Sequence, residues 1–480
     1  MTVDRYRDIC ARHRWNVPHE FNIAAAVCGR HASDGARVAI YWEDESGATT
    51  RLSFGELQRQ ANRCANALAS LGVGRGDKIA IMLPQRPETA IAHIACYQLG
   101  AIAVPLSFLF GPDALEYRLQ NSEAAVAIVD PASLPNLAPI RDRLPALRHA
   151  IGVAGAREAW LLDWDHLLQK APDQFSPVTT RATDPAILVY TSGTTGPPKG
   201  ALMPQQCLLG NLPGFVYSHD EFPKAGDVFW SPADWAWTGG LMDALLPTLY
   251  FGCPVVGYRG RFDPERALAL IAKYRVRNTF LFPTALKMMM KAVPRPRQRY
   301  DLDLRSMMSA GEAVGTTVFG WTQEALGVTI NEMFGQTEMN YIVGNSHTLW
   351  PAKPGSMGRP YPGHRIAVLD DEGRPSSPAR WAKWRSTALR PIRRWTRSSF
   401  SSISGILRRP PKNSAATGAA PAIWRRRTTM AISGTRAAPT TCSRPPVIAS
   451  VRPKSRIVWC GTRRWPMPRS FPVPMRRAAT

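Results

Sequence analysis

The segment YTSGTTGPPKG, Tyr190–Gly200, packs hydroxyls, glycines and one lysine into eleven residues. Gly193, Gly196 and Gly200 let the backbone bend so that successive N–H groups face an anion, Thr191, Ser192, Thr194 and Thr195 add hydroxyl donors, and Lys199 adds positive charge. That is equipment for holding phosphate. The Walker A spacing G-x-x-x-x-G-K-[ST] is not present, and a plain turn is the alternative reading of a Gly/Ser/Thr/Pro cluster. Four further stretches combine glycines with carboxylates or hydroxyls: SPADWAWTGG (Ser231–Gly240), SAGEAVG (Ser309–Gly315), NEMFGQTEMN (Asn331–Asn340) and GSMGRPYPG (Gly355–Gly363). Taken singly, Glu338 reads as a solvated surface carboxylate and Trp237 as a core aromatic.

These stretches need elements to position them, and the sequence supplies β-α-β grammar. Ser53 and Glu56 form a capping-box pair, after which Leu57, Ala61, Cys64, Ala65 and Leu68 recur at helical spacing until GVGRGD (Gly72–Asp77) ends the helix. The short apolar run KIAIMLP follows, then a helical pattern through ETAIAHIACYQLG and a second strand-like run, AIAVPL. Further runs are AAVAIVD, AILVYTS, CPVVGY and NTFLFP, with a helix across DPERALALIAKYRV and another, core-facing through its methionines, at LKMMMKAV. The expected class is α/β, with helix-covered parallel sheets. No internal repeat occurs.

The formal charge of +24 would suggest a polyanionic partner were it spread along the chain. Instead, 23 of the 60 Lys+Arg and none of the 36 Asp+Glu fall in Ser376–Thr480, leaving 37 basic against 36 acidic residues in residues 1–375. The eight cysteines are scattered, without a CxxC pair or Cys/His cluster, so neither a zinc site nor a disulfide framework is indicated. The N-terminal MTVDRYRDICARHRW lacks the apolar core of a signal peptide, and no apolar run reaches membrane-spanning length. A cytoplasmic chain is expected, with no membrane span and no nucleic-acid partner.

Tyr190–Gly200 resembles the signature of the adenylate-forming (AMP-dependent synthetase/ligase) superfamily. The four other stretches match further motifs of that superfamily in the same order, and the chain is most similar to medium-chain acyl-CoA synthetases and their acetyl-CoA synthetase relatives. The resemblance implies a two-step reaction. A carboxylate attacks the α-phosphate of ATP, giving an acyl-adenylate and pyrophosphate, and the thiol of CoA then displaces AMP. It implies that Thr191, Ser192, Gly193, Thr194, Thr195, Gly196, Pro197, Pro198 and Lys199 close over the β- and γ-phosphates. Gly311, Glu312 and Ala313 would contact adenine, and Glu332, Met333, Phe334, Gly335, Gln336 and Thr337 would line the adenylate. Glu338 would hold Mg2+, and Trp237 would be either core or a wall of the acyl pocket. Acetyl-specific relatives carry tryptophan at the position of Gly335, so its missing side chain implies room for a longer or aryl acid; each buried methylene is worth about 0.8 kcal/mol. The expected partners are a small carboxylic acid, ATP and CoA.

Beyond Pro375 the grammar stops. The family should next show TGD, a GR-x-DD hinge, a GYRIGP-x-EIE segment and a lysine that assists adenylation, and none of these strings occurs in Ser376–Thr480. Instead the segment carries six tryptophans, among them Trp381, Trp424 and Trp459, and no sustained apolar period. Back-translation accounts for this. Pro446–Arg456, PVIASVRPKSR, permits codons that read GYRIGPAEIE one base away; Ala420–Trp424 permits TGDL, Thr429–Ser443 permits DGYFWYxGRxDDVF and Pro378–Ser386 permits GEVGEMAV. The expectation is a single-base deletion near Pro375–Pro378. Residues 1–375 would be an adenylation domain, incomplete at its C-terminal end, and 376–480 an out-of-frame, basic, unstructured tail that does not form the family's small domain. An inactive nucleotide-binding remnant, a basic-tail binder of nucleic acid or membrane, and an adenylating enzyme with another acceptor are the alternatives.

Overall fold

Ser53 starts the first long helix as expected: its Oγ accepts from the Glu56 N–H at 3.2 Å while the Glu56 carboxylate accepts from the Ser53 N–H at 2.8 Å, and the helix runs Phe54–Ser70. Leu57, Ala61, Cys64, Ala65 and Leu68 all lie on its buried face. A second helix, Pro87–Gln98, packs beside it, and Asp263 caps a third, Pro264–Lys273, by accepting from Arg266 N–H at 2.8 Å. In this computed structural model the described residues are 4–191 and 197–368, together with the short strands Gly405–Ile406 and Ile457–Trp459.

The apolar runs form two sheets. In the first, the strand order is Gly405–Ile406, Lys199–Pro204, Pro185–Thr191, Ile102–Pro105, Lys78–Met82, Val126–Val129, His149–Gly152 and Leu162–Asp163. Pairing is parallel from Pro185–Thr191 onward and antiparallel between Pro185–Thr191 and Lys199–Pro204. The second sheet runs Arg359–Pro360, Asn340–Gly344, Ile330–Gln336, Ser306–Ser309, Asn278–Phe280, Phe229–Trp230, Val255–Arg259, Val38–Asp44 and Thr49–Ser53. Its centre is parallel and both ends are antiparallel. Helices over parallel strands are the α/β class read from the sequence.

The largest core lies between the helices Phe54–Ser70 and Pro87–Gln98 and the first sheet, around Leu57, Ala61, Ile79, Ile91 and Ile187. A second core, around Ile271, Leu286, Met289 and Met307, supports the second sheet. The helix Pro283–Ala292 corrects the reading of its methionines: Met289 is fully buried but Met288 is 43% exposed, because one helical stripe faces the core. Gln85 stitches the two sheets together. Its amide donates to Ser231 O and Ala233 O at 2.9 and 2.6 Å, its side-chain oxygen accepts from Tyr258 N–H at 3.0 Å, and its carbonyl accepts from Trp42 Nε1 at 2.9 Å.

The chain divides into two units, Met1–Gly363 with Ser401–Ala416, and His364–Phe400 with Thr417–Thr480. Within Ser376–Thr480, where the sequence predicts no element, Gly405–Ile406 pairs with Ala201 and Leu202 at the sheet edge, and Ile457–Trp459 pairs with Ile366–Val368. An unpaired strand edge offers backbone groups to any extended segment, whatever its side chains. The remainder of 376–480 lies outside the described residues.

Candidate functional site

Ligands of open α/β sheets sit beyond the carboxyl ends of parallel strands. Four adjacent strands of the second sheet, Phe229–Trp230, Asn278–Phe280, Ser306–Ser309 and Ile330–Gln336, all point their carboxyl ends the same way. Three of them are followed by candidate stretches, Ser231–Gly240, Gly311–Ala313 and Thr337–Glu338, and Asn278–Phe280 by the half-exposed Phe282. The fold therefore gathers at one edge what the sequence spreads over more than a hundred residues.

Gly311, Glu312 and Ala313 are exposed, and Gly311 has φ +92°, a left-handed conformation that suits glycine. Thr284 donates to the Glu312 carboxylate at 3.3 Å. Directly beneath, Glu332 pairs in register with Ser309 and is only 8% exposed. Burial pushes its carboxyl up to about 7, against the opposing pull of the Val314 N–H, and its Oε2 has no hydrogen-bond partner. Met333 is buried in a core shared with Phe215 and Tyr341, while Phe334, Gly335, Gln336 and Thr337 are half-buried.

Gly335 has a reason of its own. A Cβ there would lie 1.9 Å from the Asn340 carbonyl oxygen, at the point where the pairing with Asn340–Gly344 shifts register. Glycine is required by the approach of the chain's own backbone, so the space a side chain would fill is already occupied.

Across the hairpin, Thr337 and Thr238 share a hydroxyl hydrogen bond at 3.0 Å. Trp237, next to it, is 40% exposed rather than core, and meets Phe110 edge-to-face at 5.7 Å. Asp234 accepts from Ser107 Oγ at 2.9 Å and from Ala236 N–H at 3.0 Å, two bonds that partly offset the upward shift burial imposes on its carboxyl.

Phe110 leads to the first sheet. The Arg118 guanidinium lies over its ring at 4.2 Å and over that of Tyr190 at 5.8 Å. Arg118 is 8% exposed, its Nε has no partner, and burial lowers its pKa. From the same helix, Pro112–Ser122, Tyr117 donates to Pro198 O at 3.0 Å, and the Tyr190 hydroxyl donates to Asn121 Oδ1 at 2.8 Å. One helix thus holds both the entry, Tyr190, and the exit, Pro198, of the glycine-rich segment. Thr191 and Lys199 face each other across antiparallel strands, with Lys199 and Pro197 exposed. Ser192, Gly193, Thr194, Thr195 and Gly196 lie outside the described residues.

Glu338 is an exposed carboxylate in the turn at residues 337–339. Among the described residues no group of three or more His, Cys, Asp or Glu could hold a metal. A single carboxylate fits Mg2+ held jointly with phosphate oxygens, the usual arrangement for that ion.

Sequence reasoning missed Arg118 and Asp243. Both had a signal: Arg118 falls among Leu115, Leu119 and Ser122 on a buried helical stripe, and Asp243 interrupts the apolar run GGLMDALLP. No helix among the described residues is long and apolar enough to cross a membrane.

A family model described as "AMP-binding enzyme" matches residues 29–380. Acetyl-coenzyme A synthetase of Bacillus subtilis is 30% identical over 367 residues, covering 75% of this chain and 63% of that protein. The chain thus spans less than two thirds of this curated relative's length. The crystal structure of Brucella canis acyl-CoA synthetase superposes with a TM-score of 0.73 at 29% identity, covering 78% of this chain and 70% of the other. The anthranilate CoA ligase AuaEII, solved with anthranoyl-AMP, gives 0.69 at 25% identity, covering 75% and 68%. The order of the motifs along the chain and the match over residues 29–380 together establish that the chain belongs to the AMP-binding enzyme family.

Proposed function

We propose that the site activates a carboxylic acid with ATP, forming an acyl-adenylate and pyrophosphate, as the first half of an acid–thiol ligase reaction with CoA as acceptor. The observation that carries this reading is the continuous line of contacts from Tyr117 and Pro198 through Arg118, Phe110, Trp237 and Thr238 to Thr337, with Glu332 and Gly311–Ala313 alongside. On this reading the contacts would join a phosphate-binding segment to a purine- and acyl-facing edge. Thr191–Lys199 would hold the β- and γ-phosphates, Gly311–Ala313 the adenine, and Glu332–Thr337 the adenylate. Positioning and charge neutralisation dominate phosphoryl-type chemistry, and Lys199 with Glu338-bound Mg2+ would supply the second. Trp237, exposed and edge-on to Phe110, suits the wall of an acyl pocket, and the acid expected there is medium-chain or aryl rather than acetate.

Ser376–Thr480 lacks the ribose-binding, hinge and lysine strings that the family uses after this point. The 480-residue chain is therefore expected to retain residual nucleotide binding at best and to form negligible thioester, and restoring the frame near Pro375–Pro378 is expected to give turnover. ATP–pyrophosphate exchange and CoA thioester formation across a panel of acids test both statements. CoA-dependent turnover by the chain as written would overturn the expected impairment. Absence of exchange in the frame-restored protein would overturn the function itself.

A further inference from the structure

Behind Trp237 the chain turns inward and carries an unexpected carboxylate. Exposure falls from 40% at Trp237 to 1% at Met242 and 5% at Asp243, within the π-helical turn Leu241–Leu245. The Met242 carbonyl accepts from the Asn211 side-chain amide, and the Asn211 oxygen accepts from Asn340 Nδ2. Asn340 closes the turn that follows Thr337 and Glu338, and its neighbour Tyr341 is fully buried. Tyr341 is pressed against the helix Cys207–Ser218 so closely that a Cβ on Gly214 would lie 2.0 Å from its own Cβ. Asp243 follows Met242 and Tyr341 follows Asn340, so the Met242–Asn211–Asn340 line joins the backbones that carry them, and the two groups are near enough for Asp243 to act on Tyr341.

Both lack partners. Asp243 Oδ1 and the Tyr341 hydroxyl are buried without a hydrogen bond, whereas the neighbouring Tyr361 hydroxyl is satisfied by Ser218. Burial holds the Asp243 carboxyl well above the ordinary carboxylate range, and the nearness of Asp243 adds to the upward shift at Tyr341. A protonated carboxyl and a phenol each offer one donor and one acceptor. Neither contributes to stability through a bond, and polar groups kept buried and unpaired call for a ligand-side explanation.

We infer that Asp243 and Tyr341 form the far end of the acyl site and select a carboxylic acid whose distal end carries a hydroxyl or aromatic amino group. This rests on the adenylating function proposed above. A hydroxyl between them donates to Asp243 Oδ1 and accepts from the Tyr341 hydroxyl, so both are satisfied at once. A saturated chain end leaves both desolvated and unpaired, and a site built to hydrogen-bond its substrate rejects such an analogue strongly. An aryl acid suits the arrangement, because a rigid ring beside Trp237 holds its substituent at a fixed depth.

The test uses 5′-O-(N-acylsulfamoyl)adenosines, stable mimics of an acyl-adenylate, titrated calorimetrically into the full 480-residue chain. Benzoyl, 3-hydroxybenzoyl, 4-hydroxybenzoyl, 4-aminobenzoyl and octanoyl analogues form the panel. At least one hydroxyl- or amino-bearing analogue is expected to bind about tenfold or more tightly than benzoyl and octanoyl. Asp243→Leu and Tyr341→Phe are expected to bring that ratio towards one; a ratio unchanged in both variants overturns the assignment. Equal affinities across the unmodified chain's panel, or tightest binding of octanoyl, overturn the inference and leave the adenylating function standing. Binding of no analogue overturns the inference, while the adenylating function is decided by pyrophosphate exchange in the frame-restored protein.

Discussion

Each sheet changes from parallel to antiparallel at the strand that carries its motif, yet the two hairpins are built differently. Pro185–Thr191 and Lys199–Pro204 are joined by residues 192–198, and the pair ends in an exposed Lys199 opposite a half-buried Thr191, with Pro197 of the joining segment exposed. Ile330–Gln336 and Asn340–Gly344 are joined by residues 337–339 and are locked from both sides, by the Asn340 carbonyl against Gly335 and by Tyr341 against Gly214. The first hairpin carries the exposed charge of Lys199, and a separate helix, Pro112–Ser122, fixes its ends. The second is itself part of the core, and its polar groups, Glu332 foremost, are placed by packing. A site joining them would draw its charge from the first and its shape from the second.

The largest expected effect breaks the second hairpin. Gly335→Ala drives a Cβ into the Asn340 carbonyl oxygen, 1.9 Å away, and should destabilise the protein by about 3 kcal/mol or more in thermal melts. Gly200→Ala in the first hairpin meets only the tip of the Leu188 side chain, at 2.7 Å, and should cost less than about 1 kcal/mol. Equal losses would erase the distinction between the hairpins.

Glu332 tests the second hairpin by pH. Its carboxyl sits at about 7 when folded against an ordinary 4.5, so folding favours the protonated form. Stability is therefore highest below pH 4.5, falls as pH rises towards 7 and levels off above it. Glu332→Gln should remove that fall, gaining about 2–3 kcal/mol relative to the unmodified protein above pH 7 and little near pH 4. Parallel stability curves for the two proteins would show that Glu332 is not held in its neutral form.

Smaller effects sharpen the account of the first hairpin. Lys199→Ala should weaken calorimetric binding of pyrophosphate about tenfold without moving the melting temperature, since the side chain is exposed. Tyr117→Phe deletes only the bond to Pro198 O and should cost about 1 kcal/mol in pyrophosphate affinity, with Arg118 left in place. A melting shift in Lys199→Ala with unaltered binding would give that lysine a structural role instead.

Much of the frame was legible because local signals and tertiary structure agreed. The Ser53–Glu56 pair, the apolar runs that became parallel strands and the Asp263 cap each satisfy a local rule that the fold also uses. Of the candidate stretches, the family resemblance singled out Gly311–Ala313, which the fold sets in an exposed turn just after the strand Ser306–Ser309. The site was not legible where a residue's meaning depends on what lies opposite. Gly335 read as an opening in a pocket, but the facing Asn340 carbonyl gives it a different reason. Arg118 and Asp243 look like ordinary charged residues until burial leaves atoms of each unpaired. In Ser376–Thr480 composition alone spoke, through its lack of acids, and the edge strands Gly405–Ile406 and Ile457–Trp459 had no pattern to announce them.

The central claim, that both hairpins close on one nucleotide, is tested most directly by hydrogen exchange during a MgATP titration. Peptides covering residues 186–203 and 308–343 should gain protection together, with one midpoint between them. Protection confined to either peptide set, or two separated midpoints, would contradict a shared site.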